Sequence, residues 1–208
     1  MVGSLPRSAT EGWASKGGGS FKGVVFVAAF ICALLVLGWM FSLPYLAKVG
    51  FEKKTGFELS ARSLGGNPFG VTLNARDVGV GNPEGFGVGA LMELDALALD
   101  VEPRSVESDT LVFRLLDMDI RRLSLVIAES GESNLALFSG KLDSLERGVA
   151  FNEASLSVGE LEIVDYSKAI PFKRSVTLDR EWLLEDVKSY AGLFSPVMAL
   201  AKTMNAGL

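Results

Sequence analysis

Two pairs of carboxylates are the most obvious candidates for chemistry in this sequence. Asp117 and Asp119 lie two residues apart, and so do Glu160 and Glu162. On an extended strand, residues i and i+2 point the same way. Each pair therefore sets two carboxylates on one face, where they could hold a hard cation or act as acid and base. An acidic chain also places such pairs on the solvated face of a strand, and that is how they are read here. Other chemistry finds no carrier. The chain has no His, which removes the commonest general base and the commonest metal ligand together. Its single cysteine, Cys32, sits in an apolar run, so neither an intramolecular disulfide nor a cysteine metal site can form. Gly79-Val80-Gly81-Asn82-Pro83-Glu84-Gly85 has G-x-G-x-x-x-G spacing with no helical pattern after it, so it reads as a turn rather than a dinucleotide loop. No G-x-S-x-G and no P-loop occurs. The expectation is a protein that is not an enzyme, with no catalytic residue, metal or cofactor.

The element that positions everything else is Val24–Leu43, twenty residues without a charged side chain. As a helix it would be about 30 Å long, the thickness of a bilayer's hydrocarbon core. It exceeds the length of a signal-peptide core, no small-x-small site closes it, and Trp39 and Tyr45 stand near one end as interfacial rings do. The expected layout is a flexible tail at 1–23, a transmembrane anchor at 24–43, a β-rich domain at 44–178 and an amphipathic helical segment at 179–208. Of the 20 Lys and Arg and 25 Asp and Glu, Arg7, Lys16, Lys22 and Glu11 precede the end of the anchor. The rest of the chain carries 17 basic and 24 acidic residues, net −7, which disfavours a nucleic-acid partner. Lysines and arginines flank both ends of the span, so charge alone does not orient it.

After the span, Leu46 to Phe57 carries a weak helical stripe ended by Gly56. From Phe57 to about Val164 the apolar period is two, the signature of strands, with turn residues at 65–68, 81–85, 103–105 and 130–134. Within several runs the phase slips by one. Val71, Leu73 and Ala75 give way to Val78 and Val80. Met92 and Leu94 give way to Leu97, Leu99 and Val101. Leu116, Met118 and Ile120 give way to Leu123 and Leu125, and Leu156 and Val158 to Leu161 and Ile163. Each slip is either a bulge that bends the strand or a junction between two shorter strands. Asn134 is placed to cap a short helix with Leu135 and Phe138 facing inward. Asp179 is placed to cap a final helix with an apolar stripe of Leu183, Val187, Tyr190, Phe194 and Met198, kinked or split at Pro196.

Taken in order, several stretches resemble the N-terminal module of the AsmA-like family of bacterial envelope proteins. Phe51-Glu52-Lys53-Lys54-Thr55-Gly56-Phe57-Glu58-Leu59 is similar to the family's post-anchor helix and first strand. Leu73 to Phe86, ending Asn82-Pro83-Glu84-Gly85-Phe86, looks like its second strand and turn. Leu97–Val101 with Ser105-Val106, Gly131-Glu132-Ser133-Asn134-Leu135, and Val158–Asp165 match later segments. The resemblance covers roughly residues 24–178 and reads the chain as a short member carrying the N-terminal module. It implies a single-pass protein of the bacterial inner membrane, its tail cytoplasmic and its bulk periplasmic, with a role in lipid transport and envelope biogenesis and no catalytic residues.

The combined expectation is a mainly-β α+β chain: an N-terminal transmembrane helix, a curved antiparallel β-sheet with a short helix, and a C-terminal helical segment. The sheet's apolar face would bind phospholipid along Val71, Leu73, Leu97, Leu99, Leu123 and Leu125. The helix carrying Leu183 to Met198 would serve as lid or partner contact. The alternative is a membrane-tethered scaffold with no ligand, docking a protein through that helix or a sheet edge.

Overall fold

The computed structural model describes residue 30 and residues 45–46, 48–67, 70–87, 89–145 and 147–206. The chain divides into two compact units, Met1–Ser42 and Leu43–Leu208, and the sheet and its helices belong to the second. The tail at 1–23 and, apart from Phe30, the span at 24–43 lie outside the described residues. Among the described residues no helix is long and apolar enough to cross a membrane.

Six strands form one sheet in sequence order: β1 (Leu59–Asn67), β2 (Thr72–Gly81), β3 (Ala90–Val101), β4 (Thr110–Ile127), β5 (Gly148–Asp165) and β6 (Phe172–Val187). Among the residues described from 48 onward, three helices accompany it: α1 (48–55), α2 (Asn134–Asp143) and α3 (Tyr190–Ala206), with a 3₁₀ turn at Pro103–Glu107. The domain is thus mainly β, as the period-two pattern requires. The sheet is mixed, however, and not wholly antiparallel. β4 and β5 run parallel from Thr110↔Gly148 to Ile127↔Asp165, while the other four pairings are antiparallel. The cause lies between them: α2 carries the chain back along the sheet, and a crossover through a helix joins parallel strands.

The phase slips are bulges inside continuous strands, and they line up. The pairing of β1 with β2 skips the Arg62/Asp77 step, and that of β2 with β3 skips Asp77/Asp95. The β4–β5 pairing skips Arg121/Gly159, and between β5 and β6 the register shifts between Val158 and Glu160. Because neighbouring strands slip together, the apolar residues stay on one face, and each bulge bends its strand at the same level. Asp77 and Asp179 adopt positive φ there, and Asp186 does so at a second slip beside Asn152. Aspartate is among the few side chains that tolerate this region. Gly159 has a different reason: a Cβ would stand 3.0 Å from the Arg121 carbonyl oxygen of the adjacent strand.

All three helices lie on the apolar face. Gly56 (φ 78°) ends α1 as its pattern predicts, and its N–H donates to the Glu52 carbonyl at 2.8 Å. α2 buries Leu135 and Phe138 as expected, but its cap is Ser133, whose hydroxyl accepts from the Ala136 N–H at 3.1 Å. Phe138 is the common contact, 6.2 Å from Phe51, 5.0 Å from Phe57 and 6.1 Å from Phe194, ring centre to ring centre. One side chain therefore joins α1, α2, α3 and the entry to β1.

The last helix starts later than the sequence pattern indicates. Asp179 caps nothing; it is a bulge residue inside β6, and Leu183 and Val187 belong to that strand. Two bulges break the period-two pattern of β6 and leave a spacing that imitates a helical stripe. Ser189 and Asp143 begin α3 instead: the Ser189 hydroxyl accepts from Gly192 N–H at 2.9 Å, and the Asp143 carboxylate, from the end of α2, accepts from Tyr190 and Ala191 N–H at 2.7 and 3.0 Å. Pro196 stays within the helix without splitting it. It cannot donate to the Gly192 carbonyl, and the Ser195 hydroxyl does so at 2.8 Å.

Candidate functional site

The two faces of the sheet differ in chemistry. The open face is a lattice of charges. Arg121 bonds Asp95 at 2.9 Å and Glu93 at 3.1 Å, Arg62 reaches Asp77 at 3.4 Å, Arg114 bonds Asp100 at 2.6 Å, Arg122 bonds Glu160 at 3.1 Å and Lys173 bonds Glu162 at 2.6 Å. Hydrogen bonds from Ser175 and Arg122 hold the Glu160 carboxyl below the usual glutamate range. Hydrogen bonding to Glu162 raises the Lys173 ammonium above its ordinary value. Glu160 and Glu162 are thus engaged in cross-strand pairing, and Asp117 and Asp119 stand exposed on β4. Among the described residues no group of acidic side chains is arranged to hold a metal ion.

The residues expected to line an apolar groove fall into three environments. Leu123 is fully enclosed in the core, with Ile120, Leu156, Leu161 and Leu135. Leu73, Leu97 and Leu99 are only partly buried. Val71 is not on a strand; it occupies the turn before β2 at φ 48°, a conformation costly for a β-branched residue. Helices therefore fill the middle of the face, and the interior is a packed core there. Apolar surface remains open at its two ends.

At the first end a cleft of about 360 Å3 lies between α1 and β1–β3. Leu64, Leu73, Ala75 and Leu97 form its sheet wall, Tyr45 and Phe51 its helix wall, and Lys48 stands at the rim, 3.7 Å from Glu52. At the other end a cleft of about 530 Å3 lies where α3 passes the ends of β4 and β5, and Leu125 is part of its floor. The expected lid residues divide too. Tyr190, Phe194 and Met198 share α3 and pack on the core, Val187 is partly buried on β6, and Leu183 is 77% exposed on the edge strand β6. Burial raises the Tyr190 hydroxyl's pKa, with the nearby Asp143 carboxylate adding to the effect.

Two motifs far apart in sequence meet in space. Asn134 is fully buried; its Oδ1 accepts from Val126 N–H at 2.9 Å and Leu135 N–H at 2.8 Å, and its Nδ2 donates to the Ser124 carbonyl and to Asn82 Oδ1, both at 2.8 Å. The Asn82-Pro83-Glu84-Gly85-Phe86 turn is thereby tied to the start of α2. Thr55 links α1 to β1 in a similar way: its hydroxyl donates to the Phe51 carbonyl at 2.7 Å and accepts from Phe57 N–H at 3.2 Å. These residues hold the helices on the sheet. Sequence reasoning missed α1's part in the cleft wall, although the stripe ending in Phe51 was its available signal. Comparison of the chain with known protein families, curated proteins and solved structures finds no match.

Proposed function

We propose that the chain is a membrane-anchored envelope protein that binds phospholipid acyl chains in the cleft between α1 and β1–β3. The observation that carries this reading is the apolar lining of that cleft. Its walls are apolar, and Tyr45 and Phe51, which form one of them, follow the uncharged stretch Val24–Leu43 almost at once in sequence. Read as a span, that stretch would tether the domain to a membrane, the source of the acyl chains. Burial of CH₂ groups at about 0.8 kcal/mol each supplies the driving force, and no specific polar chemistry is required. The AsmA-like resemblance of residues 24–178 agrees with this placement and assigns the domain to the periplasmic side. Lys48 at the rim is suited to a phosphate.

A second reading has its own observation. Leu183 and Ile170, 77% and 82% exposed, lie on and just before the edge strand β6, as expected of a scaffold that docks a protein along that edge. One experiment separates the two. A photo-crosslinking residue at Leu97 in the full chain, irradiated in bacterial membranes, is expected to capture phospholipid, and one at Leu183 is not. Capture of polypeptide alone at both positions would favour the scaffold and defeat the lipid reading.

A further inference from the structure

We infer that the second cleft, where α3 passes the ends of β4 and β5, binds an anionic single-chain amphiphile. This inference rests on the lipid-binding reading and extends it to a site with different selectivity. The cleft, of about 530 Å3, is within the range of small-molecule sites. Its floor is the partly exposed Ile127 and Met198, backed by the buried Leu125 and Ile163, an apolar surface for one hydrocarbon tail that includes a thioether able to adapt its shape. Its rim carries Lys168 and Lys202, both exposed, and among the described residues no carboxylate lines it. That is unusual in a chain whose residues after Leu43 carry net charge −7, and on whose open sheet face several cations are matched by acids. Neither lysine is in an ion pair among the described residues. An apolar trough with two free ammonium groups at its mouth is complementary to an acyl tail that ends in one anion. A fatty-acid carboxylate and a lysophospholipid phosphate share that chemistry.

The test uses the full chain in phosphatidylcholine nanodiscs with three tail-diazirine probes: palmitate, lysophosphatidic acid and lysophosphatidylcholine. The two anionic probes are expected to label peptides containing Leu125 and Met198, and the zwitterionic probe to label them weakly. The surface double variant K168Q/K202Q should reduce anionic labelling roughly fivefold, the order expected of two exposed charge contacts. A199W, at an exposed position on the cleft wall, should block all labelling there. The relative yields of palmitate and lysophosphatidic acid identify which anion is preferred. Labelling confined to peptides containing Tyr45 and Leu97 would overturn this inference and leave the first cleft standing. Labelling at Met198 that K168Q/K202Q does not reduce would overturn recognition by charge. Labelling at neither cleft would overturn this inference and the lipid reading together.

Discussion

Asn134 shows how much of this fold depends on a single buried polar side chain. All four of its hydrogen-bonding positions are used, two on β4, one on α2 and one on the Asn82 turn. Replacing it with leucine keeps the branching and the number of heavy atoms but leaves buried backbone groups and Asn82 without partners, at about 1–3 kcal/mol for each group left unsatisfied. N134L should therefore lower unfolding stability by about 4 kcal/mol or more in denaturant titration of the detergent-solubilised chain, and an unchanged midpoint would show that the network is dispensable. Glu160 supplies a pH test. Ser175 and Arg122 depress its folded-state pKa, so its contribution is present above the ordinary glutamate value of about 4.3 and is lost as pH falls below it. The stability difference between the wild type and E160Q should be visible at neutral pH and vanish on acidification. A difference that grew on acidification would contradict the assignment.

At the scale of elements, the aligned slips and the helix starts carry the architecture. Gly159→Val forces a side chain against the Arg121 carbonyl at the slip line. Thermal melts should report a loss of about 1–3 kcal/mol, whereas Gly140→Ala in α2, where a Cβ meets nothing within 4 Å, should be neutral or stabilising. Asp143→Ala removes a cap supplied by one helix to another and should cost about 1 kcal/mol, with fraying of the first turn of α3 detectable by hydrogen exchange at Tyr190 and Ala191.

Elements whose alternation stays readable on both sides of a slip, or that follow a helical period, were legible in the sequence. β3, β4 and most of β5 were, as were α2 and the glycine that ends α1. β6 was not, because bulges at Asp179 and Asp186 scramble its alternation and leave Leu183, Val187 and Tyr190 at helical spacing. The parallel pairing of β4 and β5 was available from the α2 crossover. Which apolar residues stay open was not, since Leu97 and Leu123 sit in similar alternating runs, yet Leu123 is fully enclosed and Leu97 lines a cleft.

For the molecule as a whole, the proposal combines an uncharged stretch long enough to span a bilayer with a β domain whose apolar face is packed in the middle and open at both ends. The electrostatic lattice on the opposite face gives lipid no purchase there. The central claim is that the cleft bounded by Tyr45, Phe51, Leu73 and Leu97 holds an acyl chain. Native mass spectrometry of the full chain released from bacterial membranes tests it most directly, comparing the wild type with Leu97→Trp, which fills the cleft from a partly buried position. A phospholipid adduct is expected on the wild type, with at least a tenfold loss of it in L97W, about 1.4 kcal/mol of binding or more. Equal adducts on both proteins, or none on either, would contradict it.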